Sequence, residues 1–449
     1  MTRVEAERGF PLQNIIKQLL PPGYELLPGI NQIYELELAL AEHRSLSKSE
    51  LIKSSAYFSK VDGVETHHYR LCAGAPIMID KSASIRLRTF FQAYQFKTGY
   101  ATHGLFPYRG KFHPQLIKAI MNIIGVKPGE IILDPMTGSG TTNIEASLLG
   151  IDSIGVEASP FCCLMARAKA NALKLDSQKL KEYSQRPNEI LAHFHGEGRG
   201  KISEHIRYSK CSFVDDPVLE DFFKLCYLDA VGYARRRKKK SIEELFPGVL
   251  NKYVSAVTNF LLIRDELGLD LGKTTIVEGD ARDLSRFESE TLPGINDESI
   301  DGIVTSPPYS FAIDYLDEDS LQLEYMGYDV ELLKRKMVGL YGKGITKVQN
   351  YLNDMDKIIK EMSRVLRKGK HAIIIIGSNV IQLQKTLASI IGNGKDNGLY
   401  GLEMNMRLDD VFVRIGEKYK LRLIKRFSRP IEGIRNALRT EEILFLRKE

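Results

Sequence analysis

The 449-residue sequence predicts an α/β protein built on a doubly wound, mostly parallel sheet. From about residue 96 onward, helical segments alternate with short apolar runs: IILD at 131, SIGVE at 153, TTIVEGD at 274, GIVTSPPY at 302 and HAIIIIG at 371. Unbroken apolar runs of this length are what strands covered on both faces require. The chain then closes on KLRLIKRF and EEILFLRK, two β runs that suit an antiparallel pair at the sheet edge.

Two segments fall outside this pattern. Residues 1–95 read as a small α+β accessory unit, with an apolar-periodic stretch near Ile15 to Leu20, a turn at Pro21-Pro22-Gly23 and a helix from Ile33 to His43. Alternation in HHYRLCAG and SIRLRTFF predicts short strands there. Residues 172–272 interrupt the strand alternation with helical, charged sequence and form an insert between 96–171 and 273–449. The insert carries the run Arg235-Arg236-Arg237-Lys238-Lys239-Lys240, which fits a solvated helix end or a phosphate-contacting patch.

Composition narrows the partners. Apolar residues make up 43% of the chain, enough for a sizeable core, and 63 Lys and Arg against 57 Asp and Glu leave a net charge of +6, a mild bias toward polyanions. The five cysteines form no C-x-x-C pair and no zinc-ligand spacing, so no metal site is expected. The N-terminus MTRVEAERGF lacks a signal-peptide core, and no run approaches the ~18 apolar residues of a membrane span; a cytoplasmic protein without membrane contact is expected.

The strand IILD ends at Asp134 and runs into Pro135-Met136-Thr137-Gly138-Ser139-Gly140-Thr141-Thr142, after which NIEASLLG is helical in period. Gly138 and Gly140 permit a tight turn and close approach of backbone to a ligand, and the helix start offers unpaired N–H groups. A phosphate loop would need its lysine, and a dinucleotide fingerprint would need a third glycine where Asn143 stands. Asp134 repels a pyrophosphate but attracts an ammonium group. Charge therefore selects S-adenosyl-L-methionine as the cofactor, held by Asp134, Pro135, Thr137, Gly138, Gly140 and Thr141. Glu157, at the end of SIGVE, stands where a strand-end carboxylate accepts ribose hydroxyl hydrogen bonds. Asp280 in VEGDARD is the candidate for the adenine amino group, with Asp283 as the alternative.

The second motif is Thr305-Ser306-Pro307-Pro308-Tyr309, directly after an apolar strand. Consecutive prolines hold the chain extended and restrict the residue before them, so Ser306 and the Pro307 carbonyl become an immobile pair of acceptors. An exocyclic amine is a poor nucleophile because its lone pair is delocalised. Accepting its two hydrogens localises that pair, positioning supplies most of the rate, and Tyr309 would stack on the base. A base within a duplex must first flip out, at roughly a few kcal/mol.

DPMTGSGTT with TSPPY resembles the amino-methyltransferase family and is similar to the cytosine-N4-specific DNA methyltransferases. The resemblance covers about residues 100–170 and 274–449 and implies a class I, Rossmann-like methyltransferase fold with an antiparallel edge strand. In that family a leading serine marks cytosine enzymes, whereas adenine enzymes usually carry aspartate or asparagine, so Ser306 points to cytosine. GLFPYRGKFHPQ at 104 resembles the family segment that packs over the methionine end of the cofactor, which places Lys111 and Phe112 there.

The first functional expectation is therefore transfer to cytosine-N4 in DNA, and the second is transfer to a cytidine of structured RNA. A non-catalytic binder and a protein amide methyltransferase rank below them. Asp314, Tyr315 and Tyr325 are candidates to line a base pocket, and Gln322 and Glu324 are read as helix surface. Arg429 and Arg435 are candidate phosphate contacts.

Overall fold

The computed structural model describes residues 18–30, 32–73, 98–108, 112–197, 216–236, 240–308, 315–377, 406–430 and 440–449. The chain begins with a small unit: β1 (Tyr24–Leu26), α1 (Ile33–Ser45), α2 (Lys48–Ser54), β2 (Phe58–Val61), β3 (Val64–Glu65) and α3 (His67–Ala73). Its three strands form an antiparallel sheet in the order β1-β2-β3. The strand expected at HHYRLCAG is α3 instead. Its buried residues His68, Leu71 and Cys72 follow helical rather than alternating spacing. Thr66 starts the helix, its hydroxyl accepting from the Tyr69 N–H at 3.2 Å. SIRLRTFF lies outside the described residues, as do residues 15–17 of the first apolar stretch.

The central sheet is built from β4 (Ile131–Asp134), β5 (Asp152–Glu157), β6 (Thr274–Glu278), β7 (Ile300–Thr305), β8 (Leu366–Gly377), β9 (Leu421–Pro430) and β10 (Thr440–Lys448). They lie in the order β6-β5-β4-β7-β8-β10-β9. The first five pair in parallel, and β10 runs antiparallel between β8 and β9. This strand order, with one reversed strand next to the far edge, is that of the class I methyltransferases. The run Ala372–Ile376 of β8 is fully buried, as a strand covered on both faces must be.

Helices cover both faces. α4 (Pro114–Ile124) opens on a proline at its first turn and stops at Gly125, whose φ of +74° is the left-handed cap such an end requires. α5 (Thr141–Leu148) and α6 (Pro160–Ala172) follow β4 and β5. The insert then supplies α7 (Ser177–Ser184), α8 (Pro187–Glu197), α9 (Pro217–Arg236) and α10 (Ile242–Leu267). Phe161 and Met165 of α6 share one core with Phe222, Phe223 and Tyr253 of the insert. After β7 come α11 (Tyr315–Glu318), α12 (Ser320–Tyr325), α13 (Val330–Lys336) and α14 (Gly344–Val365), and α15 (Leu408–Lys418) precedes β9.

Two surface expectations are corrected. Arg429 is buried, its guanidinium donating to Glu441 at 2.9 Å and lying 5.8 Å from the Tyr34 ring, so it is not a phosphate contact. Gln322 is buried rather than on a helix surface, because α12 packs against α6 and α9. Arg435 lies outside the described residues. Among the described residues no helix is long and apolar enough to cross a membrane. No group of three or more His, Cys, Asp or Glu among them could hold a metal ion.

Candidate active site

The chain passes from β4 outward to β5 and β6, then returns to lay β7 on the other side of β4. Ligands of open α/β sheets bind at such a reversal, beyond the carboxyl ends of the strands. Asp134 ends β4 and Thr305 ends β7, so the two motifs emerge side by side. Thr305 Oγ1 donates to Asp134 Oδ1 at 2.8 Å, a buried bond joining the cofactor turn to the Ser306-Pro307-Pro308 turn. Thr305 was not singled out from sequence; the available signal was a hydroxyl at the last position of an otherwise apolar strand, where it must find a partner.

Asp134 is 1% exposed. Its Oδ1 also accepts from the Met136 N–H at 3.1 Å, while Oδ2 is buried without a hydrogen-bond partner among the described residues. Burial pushes the carboxyl up to about 6, against the hydroxyls of Thr142 and Thr305, and the charge of Glu157 adds to the rise. A buried carboxylate oxygen lacking a donor is unfavourable, and an ammonium group satisfies it.

The turn between β4 and α5 has the open surface a cofactor needs. The Thr137 hydroxyl lies within hydrogen-bond reach of the Asp134 carbonyl (3.0 Å) and Asn143 Oδ1 (3.2 Å). Gly138 has φ +52°, and a side chain built there would meet nothing within 4 Å. Gly140, at φ +81°, instead faces α6, where an added Cβ would lie 3.0 Å from the Ala166 backbone. Pro135 is buried beside Asp134, and Thr141 opens α5. The free side of Gly138 and the orphaned oxygen of Asp134 fit the methionine end of S-adenosyl-L-methionine.

Glu157 ends β5 as expected, and its carboxylate reaches back to the turn. Oε2 accepts from the Gly138 N–H at 2.8 Å and Oε1 from the Ser159 N–H at 2.9 Å. Each oxygen keeps a second lone pair, and burial raises the carboxyl above its usual range. Asp280 lies two residues beyond β6 and is already paired, Arg282 Nη2 reaching its Oδ2 at 2.6 Å while Nη1 reaches Asp354 at 3.1 Å. Asp283 accepts from Ser285.

Of the remaining candidates, Ser306 and Pro308 are half-buried and Pro307 is buried. The Pro308 carbonyl accepts from the Tyr351 hydroxyl at 3.0 Å, and Tyr351, buried in α14, holds the turn from below. Helical periodicity marks Tyr351 only as core, so this role was not legible. Phe112 is half-buried and packs against the core around α4. Tyr108, four positions before it, reaches the cofactor side, where Cys162 Sγ lies 3.5 Å from its hydroxyl. Lys111, Tyr309 and Asp314 lie outside the described residues, as does the side chain of Tyr315. Tyr325 turns toward the insert, donating to the Phe194 carbonyl at 2.6 Å.

Fold and site together define a methyltransferase domain whose cofactor is S-adenosyl-L-methionine. Residues 105–192 match the family described as UPF0020, RMKL-like, methyltransferase domain. The chain is 24% identical over 284 residues to the type II methyltransferase M.BsoBI of Geobacillus stearothermophilus, covering 54% of this chain and 56% of that protein. It is 35% identical over 142 residues to the type II methyltransferase M.MjaII of Methanocaldococcus jannaschii, covering 32% and 24%. A 52-residue stretch is 42% identical to the tRNA (guanine(10)-N2)-dimethyltransferase of Methanothermobacter thermautotrophicus, covering 12% and 16%. The chain thus spans about half the length of the first of these relatives and a quarter of the second. These similarities agree with the amino-methyltransferase resemblance carried by DPMTGSGTT and TSPPY.

Proposed function

We propose that the protein methylates the exocyclic N4 amine of cytosine in DNA. The observation that carries this reading is the Thr305–Asp134 bond, which holds the Ser306-Pro307 acceptors beside the cofactor turn. S-adenosyl-L-methionine, when bound, supplies an electrophilic methyl group. Asp134 holds its ammonium group, the Gly138 turn receives its methionine end and Glu157 accepts from its ribose.

Ser306 and the Pro307 carbonyl accept the two hydrogens of the target amine. No described residue donates to the Pro307 carbonyl, whereas the Pro308 carbonyl is occupied by Tyr351. Fixed acceptors of this kind draw the nitrogen toward tetrahedral geometry without reorganising during the reaction. Serine at the head of the motif supports cytosine over adenine, and the two type II relatives support DNA.

The test is transfer of labelled methyl to duplex DNA and, in parallel, to total RNA, followed by nucleoside mass spectrometry. Label on N4-methyldeoxycytidine is expected. Label on cytidine alone would move the substrate to RNA, the direction of the 52-residue tRNA-enzyme match. Ser306→Ala is expected to lower turnover by two orders of magnitude or more, about 3 kcal/mol for one lost oriented group, while leaving cofactor affinity nearly unchanged.

A further inference from the structure

One buried acid near the cofactor turn has no assigned task. Asp319 lies between α11 and α12 and is 6% exposed. It occupies the N-cap position of α12, yet its side chain does not cap that helix. The single group within reach of its carboxylate among the described residues is the Cys162 thiol, 4.0 Å from Oδ2. That thiol has one hydrogen and lies closer to the Tyr108 hydroxyl, at 3.5 Å, so Asp319 has at best one long, weak donor. Among the described residues no cation neutralises it; burial first, and then the charges of Glu318 and Glu157, push its carboxyl up to about 7.

Its surroundings place it on the cofactor side. Cys162 belongs to the first turn of α6, whose N-cap Ser159 lies two residues beyond Glu157. Tyr108, on the far side of the thiol, is half-buried and feels both Asp319 and Glu157. Asp319, Cys162, Tyr108 and Glu157 therefore form one wall, and among them only Glu157 has backbone N–H partners for its carboxylate. An acid this deeply buried with only one long, weak donor is unfavourably placed in the free protein, and a ligand can supply the stronger donor it lacks. The adenosine half of the cofactor carries such donors, two ribose hydroxyls and one exocyclic amine. Asp280, the acid expected to meet that half, is already engaged by Arg282.

We infer that Asp319 is a third acid of the cofactor pocket, accepting a hydrogen bond from the adenosine half of S-adenosyl-L-methionine. The inference rests on the cofactor assignment to the Asp134 turn and adds a residue that neither motif contains.

The test is titration calorimetry of the full chain with S-adenosyl-L-methionine for the wild type, Asp319→Asn, Asp280→Asn and Asp134→Asn, with melting of each cofactor-free protein. Asp319→Asn is expected to raise Kd on the order of tenfold, as loss of a charged acceptor does. Its cofactor-free melting temperature should stay level or rise, because an uncompensated buried charge has been removed. Asp280→Asn should change Kd less than twofold. S-adenosylhomocysteine and its 2′-deoxy, 3′-deoxy and N6-deaminated analogues then identify the donor, since the analogue lacking it loses affinity in the wild type and no further in Asp319→Asn. An unchanged Kd in Asp319→Asn, or a rise in Kd accompanied by a lower cofactor-free melting temperature, overturns the inference. If Asp134→Asn also leaves Kd unchanged, it is the cofactor assignment that fails; if Asp134→Asn loses binding and Asp319→Asn does not, the third-acid inference fails alone.

Discussion

In the function proposed above, Asp134 combines two roles at one strand end. Oδ1 ties the Ser306-Pro307-Pro308 turn through Thr305, and the unpartnered Oδ2 would receive the cofactor's ammonium group. The ammonium binds the ionised acid, and burial holds this carboxyl near 6 rather than at the usual aspartate value. Cofactor affinity should therefore fall as pH drops from 7 through 6, approaching tenfold per unit where protonation competes fully. Asp134→Asn should bind weakly and show a flatter pH profile below 7. A wild-type Kd that does not change between pH 5 and 8 would contradict this assignment. Thr305→Val tests the other oxygen: it removes one of the two donors to Oδ1, leaving the Met136 N–H, and should lower turnover more than it changes Kd, because the turn it releases carries Ser306.

At the scale of elements, the turns and strands were readable because their signals are local. Asp134, Gly138 and Gly140 announce strand, turn and helix within ten residues, and the β9–β10 pair follows from two apolar runs. What could not be read depends on partners distant in sequence. Arg282, which holds Asp280, also reaches Asp354, Tyr351 meets Pro308, and α3 takes helical form because His68, Leu71 and Cys72 face a core that the alternating pattern of HHYRLCAG does not reveal. Gly155 is a further case, a glycine inside a strand whose reason lies across the fold. A Cβ there would come within 2.4 Å of Thr137 Oγ1 and 2.6 Å of Ile276 Cδ1. Gly155→Ala should therefore push the cofactor turn from its seat, costing about 1–3 kcal/mol of stability and weakening S-adenosyl-L-methionine binding. Denaturant melts and calorimetry on the same variant check both, and unchanged affinity would show that the turn does not depend on this contact.

At the scale of the whole molecule, the N-terminal unit is joined to the catalytic sheet by a shared core. Leu38 and Phe58 pack in one cluster with Leu116 and Ile120 of α4, Ile373 of β8 and Phe445 of β10. Polar groups are joined in the same way. Glu42, fully buried, accepts from the Ala56 and Tyr57 N–H groups and from Asn122 of α4 at 2.7 Å. Glu145 of α5 accepts from Tyr100 at 2.7 Å, with His103 at 2.6 Å and Lys118 at 3.4 Å, all buried. Glu145→Ala would leave Lys118 buried without its counter-charge, and about 3–5 kcal/mol of stability should be lost. Glu42→Ala strands two N–H groups and an amide, at about 3 kcal/mol. Burial raises Glu42 to about 7, so its contribution to stability is full below about pH 4.5 and is lost as pH rises through 7; Glu42→Gln should flatten that dependence. If the core is continuous, amides of α1 and β8 should share one opening free energy in hydrogen exchange, and a chain lacking residues 1–73 should expose the α4 face and aggregate. A truncated chain that stays folded and binds S-adenosyl-L-methionine would instead make the N-terminal unit a separable module, free to serve the substrate rather than the fold.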